Sequence, residues 1–428
     1  MLRIQPGEGR TVLPALAYVF LAIGALLIAN IAADSLFVTT FSLGTLSRFL
    51  IVSSVVRVFV AIGYAWLATR AAGPKLDAAV LALTAASAAA SGLLARAPSD
   101  AVVYGIAVAQ LLFPPLLPLI ASNAAMSCFH TRQAKRLLPL VAAAGTLGSI
   151  TVGGLARGLA TWLGTPALLH VAAIMCALAL PFPAILAARA REAGSDDVPA
   201  AAKPGARPPA PPSLFSTIGE SLKDVRDVGV VRVVIGNAVL SAASVSLVQF
   251  AFKAALKAHY GRDEMAGFIG TFSTFSEAVV LVAQVFLTSR FIARFGVRVS
   301  LESVPAALAA FGPVLALVPG VSAATGARFA NDVCRFTLGG PTSDLLLTPA
   351  APTVRTRAKV FVKGLAQPLG GTLAGVALGV FGEAGPQPLA MGALCVVTGL
   401  VGVALTREAK RAYTGALAKA LGEGRVLS

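Results

Sequence analysis

Along this chain, long apolar runs alternate with short polar segments, and the runs exceed what a buried core helix needs. A helix requires about 20 predominantly apolar residues to cross the hydrocarbon core of a bilayer. Twelve runs of about that length stand between charged or Gly/Pro punctuation. Six lie at 13–35, 49–69, 76–95, 101–122, 137–162 and 166–188. Six more lie at 229–251, 266–289, 300–319, 321–338, 357–381 and 388–406. The pattern predicts an all-α polytopic membrane protein with twelve transmembrane helices.

One stretch breaks the alternation. From Asp196-Asp197-Val198-Pro199 to Ala210-Pro211-Pro212 the chain is rich in Pro and Ala and carries both charge signs. Such a segment cannot bury enough apolar surface to fold, so it reads as a linker. The domain organisation expected is a six-helix bundle at 1–190, a cytoplasmic linker at 191–226 and a second six-helix bundle at 227–428 with a basic tail. The halves echo one another. Thr131-Arg132-Gln133-Ala134-Lys135 leads to Gly145-Thr146-Leu147-Gly148 in the fifth span. Thr356-Arg357-Ala358-Lys359 leads to Gly371-Thr372-Leu373-Ala374-Gly375 in the eleventh. An echo at spans five and eleven implies a six-span repeat in parallel orientation, as in major facilitator transporters. The basic, glycine-containing loops Arg70–Lys75 and Arg290–Arg298 follow spans two and eight and resemble the loops of that superfamily at those positions.

Charge orients the bundle. With the N-terminus in the cytoplasm, 25 of the 35 Lys and Arg fall in cytoplasmic segments, five fall opposite, and five fall inside or at the edge of spans. That bias follows the positive-inside rule and places both termini in the cytoplasm of a multi-pass inner-membrane protein. The apolar run after Arg3 and Arg10 exceeds a signal-peptide core and reads as an uncleaved first helix. The whole composition agrees: 57% hydrophobic, 13% charged and a mean hydropathy of +0.81 exclude a soluble or disordered chain. The net charge of +16 is spread between spans rather than gathered in a patch, so nucleic acid is not an expected partner. The basic stretch Arg407–Leu421 is expected as an amphipathic helix on the anionic cytoplasmic leaflet.

Three stretches resemble the ATP/ADP antiporter (nucleotide transporter) family of the major facilitator superfamily. Ala33-Asp34-Ser35-Leu36 is similar to its Lys-Asp-x-Leu motif. Asn123, followed by Gln133-Ala134-Lys135-Arg136-Leu137-Leu138-Pro139-Leu140, is similar to its Asn plus Glu-Ala-Lys-Arg-x-x-Pro-Leu pattern. Pro341-Thr342-Ser343-Asp344-Leu345-Leu346 and Arg357-Ala358-Lys359 resemble its Pro-Thr-x-Glu-x-Leu and Lys-Ala-Lys region. The order matches from about residue 15 to about residue 405. Three charged family positions are occupied here by Ala33, Gln133 and Gly371. The resemblance implies the major facilitator fold, secondary transport by alternating access and a nucleotide-like solute exchanged at a midplane site.

Ionisable groups at membrane depth are costly and face a partner or a water-filled cavity. Those within spans are Asp34, Arg57, Arg157, Glu277, Arg328, Asp332 and Arg335. With Asn123 and Asn331 they make up the candidate substrate-binding set. In the tenth span Arg328, Asn331, Asp332 and Arg335 stand at i, i+3, i+4 and i+7, one stripe of a helix. Asp332 is expected to neutralise Arg328, which leaves Arg335 beside Gly339-Gly340-Pro341, read as a helix break that widens the pathway. Guanidinium groups at depth suit phosphate or carboxylate, so a small anionic solute, a nucleotide among them, is the expected partner. The other readings are a proton-coupled carrier using Glu277 or Asp34, and a transporter-like sensor or partner subunit.

The remaining features read as structure. Phe268, Phe272 and Phe275 form a packing stripe, and Pro114, Pro115 and Pro118 imply a kink in span four. Cys128, Cys176, Cys334 and Cys395 lack metal spacing, and His130, His170 and His259 are scattered. No Walker loop occurs, and no catalytic residue, metal or cofactor is expected. A monomer is expected.

Overall fold

The computed structural model describes residues 8–68, 70, 73–129, 131–192, 229–347 and 352–422. The expected linker falls almost wholly within 193–228, outside the described residues. Among the described residues there is no strand. The first half comprises α1 (Gly9–Thr40), α2 (Leu43–Ala68), α3 (Gly73–Leu94), α4 (Asp100–Leu112), α5 (Leu117–Ser127), α6 (Thr131–Leu163), α7 (Thr165–Ala179) and α8 (Phe182–Glu192). The second comprises α9 (Gly229–Lys257), α10 (Arg262–Phe286), α11 (Thr288–Leu317), α12 (Val321–Cys334), α13 (Gly340–Leu346), α14 (Pro352–Phe361), α15 (Gln367–Gly379) and α16 (Pro388–Gly422).

Ten described helices or helix pairs are long and apolar enough to cross a membrane. The other two expected spans are helices carrying a wide turn. A π-helical turn, Arg335–Gly339, joins α12 to α13, and a second, Val362–Ala366, joins α14 to α15. The resulting runs, 321–346 and 352–379, are each roughly 40 Å long at 1.5 Å per residue and exceed the bilayer core. The described residues thus hold ten apolar candidate spans and two further helical runs of spanning length, each interrupted by a wide turn.

The Gly339-Gly340-Pro341 break expected from sequence is corrected by this turn. Gly339 (φ −62°, ψ −49°) and Gly340 (φ −62°, ψ −60°) are both helical, and the helix continues to Leu346. Proline lacks an N–H and crowds the carbonyl four residues back, so a turn widened by one residue accommodates it. The second wide turn precedes Pro368 in the same way. In span four the prolines do interrupt the α-helix: a 3₁₀ turn, Pro114–Leu116, separates α4 from α5. The basic tail is helical as expected, and it continues the last span, because α16 runs unbroken from Pro388 through Arg407 to Gly422. No proline follows Pro388 to part a surface helix from the spanning one.

The described residues group into two compact units. One contains Met1–Thr40, Gly63–Pro211 and Tyr260–Ala278; the other contains Phe41–Ile62, Pro212–His259 and Val279–Ser428. In the first, α1 is the central helix, with Tyr18, Ile28, Ile31 and Leu36 fully buried. A glycine in each of spans five and eleven has the same use, although Gly370 stands just before the echoed motif, whose Gly371 and Gly375 face α2 instead. A Cβ on Gly148 of α6 would strike the Phe20 carbonyl of α1, and one on Gly370 of α15 would strike the Val239 carbonyl of α9. Fifth packs on first as eleventh packs on seventh, with backbones closer than any larger residue permits.

Polar clasps recur at equivalent places of the repeat. In the first unit Asp263, in the first turn of α10, accepts from the Thr165 N–H (2.8 Å) and hydroxyl (2.7 Å) at the start of α7. In the second unit Glu383, before α16, accepts from Arg48 (2.6 Å) and from Ser42 at the start of α2.

Candidate functional site

The site is built in the second unit, where α12 carries four polar residues on one stripe. At its outer turns Arg328 and Asp332 form an ion pair, Nε to Oδ2 3.6 Å, with side chains 16% and 17% exposed. The Arg328 guanidinium also lies 4.3 Å from the Phe252 ring centroid on α9. Asn331 is buried, and its amide nitrogen has no hydrogen-bond partner among the described residues. Arg335 opens the first π turn. Among the described residues no carboxylate lies within ion-pair distance of it, and its guanidinium rests 5.0 Å from the neighbouring Phe336 ring centroid.

Arg335 lines a cavity of about 270 Å³. Helix α9 contributes Asn237 and Ser241 to it, α13 contributes Ser343, and the run α14–α15 contributes Lys359, Lys363 and Gln367. The described lining thus holds three cationic and four neutral polar side chains and no Asp or Glu. Ser343 donates to the Gly339 carbonyl at 2.8 Å, which leaves its oxygen an acceptor only. The amides of Asn237 and Gln367, Lys363 and Arg335 supply donors. Chemically, a donor set of this kind suits an oxyanion: a planar fork for two oxygens and an ammonium group for the remaining charge. Arg328, Asn331 and Asp332 are not in the described lining, so one residue of the stripe reaches the cavity.

The wide turns shape this lining. Each π turn gives the cavity a cation, Arg335 from the first and Lys363 from the second. Their closing bonds set the geometry: the Gly340 N–H donates to the Arg335 carbonyl, and the Gln367 N–H to the Val362 carbonyl, five residues back in both cases.

No protein-family model matches the chain, and no curated protein is similar to it in sequence. Solved structures are similar in fold. The nucleoside transporter NupG (D323A mutant) has a TM-score of 0.64 at 14% identity, over 94% of this chain and 99% of that one. The xylose transporter XylE from E. coli, in a partially occluded inward-open conformation, has a TM-score of 0.59 at 14% identity, over 91% and 96%. A POT family transporter in complex with 5-aminolevulinic acid has a TM-score of 0.62 at 11% identity, over 91% and 94%. The fold is the major facilitator fold.

Within that fold the other candidates are dispersed. Asp34 is half-buried on α1, Glu277 is half-buried on α10, and Asn123 and Arg157 are exposed on α5 and α6, all in the first unit. The Arg157 stem packs against Gly267 of α10. Arg57 is exposed on the part of α2 that belongs to the second unit, and it is not in the cavity's described lining. The three positions where the resemblance lacks its charges have local explanations. A Cβ on Gly371 would lie 2.5 Å from the Ser54 hydroxyl, so no lysine stem fits. Ala33 is buried within the first unit. Gln133 donates to Glu8 at 3.3 Å, and Glu8 also pairs with Arg136, so a carboxylate just before α1 stands where the family carries one on the fifth span.

Sequence reasoning missed Lys363, Asn237, Ser343 and Gln367, and it used Lys359 only as part of the repeat. The signal was present: Lys359, Lys363 and Gln367 recur every four residues in an otherwise apolar helix. It missed Asp77 as well, a carboxylate 9% exposed near the start of α3, hydrogen-bonded with Tyr64.

Proposed function

We propose that this protein is a secondary transporter of a small organic anion, working by alternating access, with the Arg335 cavity holding the anionic group. The observation that carries the reading is the lining itself: Arg335 and Lys363 come from two spans, and no Asp or Glu is in the described lining, inside a multi-pass membrane bundle. Charged groups at such depth are expensive unless they serve a partner, and an oxyanion is the partner this donor set fits. The resemblance to ATP/ADP antiporters favours a nucleotide, and hence exchange, as the particular case. Arg335 and Lys363 bind the phosphate or carboxylate, and Asn237 and Gln367 add neutral donors. Both termini stand in the cytoplasm.

The experiment is counterflow in liposomes with the purified protein, preloaded in turn with ADP, inorganic phosphate, citrate and uridine. Accumulation of a labelled anion driven by the same anion inside, with none for uridine, supports the reading. Uptake of the neutral nucleoside with no response to any anion overturns it.

A second reading, proton-coupled uptake, is favoured by one observation. Asp77 is buried with a tyrosine hydroxyl as partner and no cation in ion-pair range among the described residues. If that reading holds, Asp77→Asn abolishes uptake driven by a pH gradient while counterflow continues.

A further inference from the structure

The return from a five-residue to a four-residue hydrogen-bond spacing skips one carbonyl. In the tenth span the last wide bond runs from the Gly340 N–H to the Arg335 carbonyl, so the next carbonyl in line is that of Phe336. The residue positioned to serve it is Pro341, which has no N–H. A carbonyl left without a donor at membrane depth is costly. Here another helix answers: the side-chain amide of Gln284 on α10 donates to the Phe336 carbonyl at 3.1 Å. Gln284 is the polar interruption in Val279–Phe286, an apolar stretch in which an amide gains nothing from lipid.

We infer that Gln284 is a positioning residue: it substitutes for the N–H that Pro341 lacks, holds the π turn open, and so aims Arg335 into the cavity. The inference rests on the reading of that cavity as the anion site. Without the Gln284 donor, the cheapest way to satisfy Phe336 is to let the turn relax toward α spacing. That relaxation changes the rotation of Arg335 about the helix axis by as much as one residue, about 100°. Gln284 touches no substrate in this scheme; it acts through the backbone of its neighbour.

Proline makes the idea testable by a cycle. In Pro341→Ala the restored N–H can serve the Phe336 carbonyl by extending the wide turn one residue. Gln284 then becomes dispensable. Four proteins are compared, the parent, Gln284→Met, Pro341→Ala and the double variant, by calorimetric binding of ADP, citrate and inorganic phosphate and by thermal unfolding in detergent. Met keeps the length of the side chain and removes the donor. In the parent background Gln284→Met is expected to weaken anion binding about tenfold, the scale of one lost hydrogen bond to a backbone carbonyl. In the Pro341→Ala background the same change is expected to alter binding less than about twofold, because the carbonyl already has a donor.

Equal weakening in the two backgrounds overturns the inference, since it means that Gln284 acts by some route other than the Phe336 carbonyl. Unchanged binding in both overturns it as well. If the parent binds none of the three probes, the anion reading fails separately, and the thermal cycle still decides the role of Gln284. Destabilisation by Gln284→Met confined to the parent background supports the backbone substitution, and equal destabilisation in both rejects it.

Discussion

Arg328 and Arg335 stand two turns apart on the same face of one span, yet the protein surrounds them differently. Arg328 is enclosed by Asp332 on its own helix and the Phe252 ring on α9, so its charge is neutralised and its plane is packed. Arg335 begins a wide turn, meets no carboxylate within ion-pair distance among the described residues, and points its helix face at a cavity lined with further cations. The difference teaches that charge at membrane depth has two uses, and that partners distinguish them better than depth or residue type does. A paired arginine holds helices together, whereas on the function proposed above an arginine facing donors of its own sign serves an anion.

The sharpest way to break the comparison is to remove the paired arginine. Arg328→Ala leaves Asp332 unpartnered in a largely buried position and is expected to cost about 3 kcal/mol, read as a loss of folded protein and a lower melting temperature. Restoring stability with Arg328→Ala plus Asp332→Ala confirms that pairing is the cause; no recovery contradicts it. Arg335→Ala, by contrast, is expected to leave the melting temperature within error while weakening anion binding by a factor of about 100, the scale of a lost charge-assisted contact. Lys363→Gln sharpens the picture at lower amplitude. Its side chain is exposed, so an anion affinity about threefold weaker is expected, with a shallower dependence on salt. The smallest effect belongs to the clasp of Glu383 with Arg48. Both side chains are more than half exposed, and Glu383→Gln is expected to shift stability by less than about 0.5 kcal/mol.

The stripe on span ten was legible because helical spacing alone puts residues at i, i+4 and i+7 on one face. The six-span repeat was legible for a similar reason: glycines at spans five and eleven mark where backbones must approach, and Gly148 and Gly370 do approach. The wide turns were not legible. Gly339-Gly340-Pro341 carries every local mark of a helix break, yet the helix continues through a turn widened by one residue, and the carbonyl at that turn meets a donor more than fifty residues away, Gln284. Lys363 was hidden by position. Sorted by loop it belongs among cytoplasmic cations, and only the continuation of helix through Val362–Ala366 turns it to the cavity. The stretch 191–226, read as a linker from its composition, lies almost entirely outside the described residues.

One exchange tests the central claim most directly. Arg335→Lys keeps the charge and removes the planar fork, so it separates recognition from electrostatic attraction and from folding. Calorimetric titration of the parent and of Arg335→Lys with ADP, citrate and inorganic phosphate, beside their melting temperatures, is the measurement. Affinity about tenfold weaker for the anion the parent binds, at an unchanged melting temperature, is the expected result. Equal affinity of the two proteins for every anion would contradict the assignment of Arg335 as the residue that holds the solute.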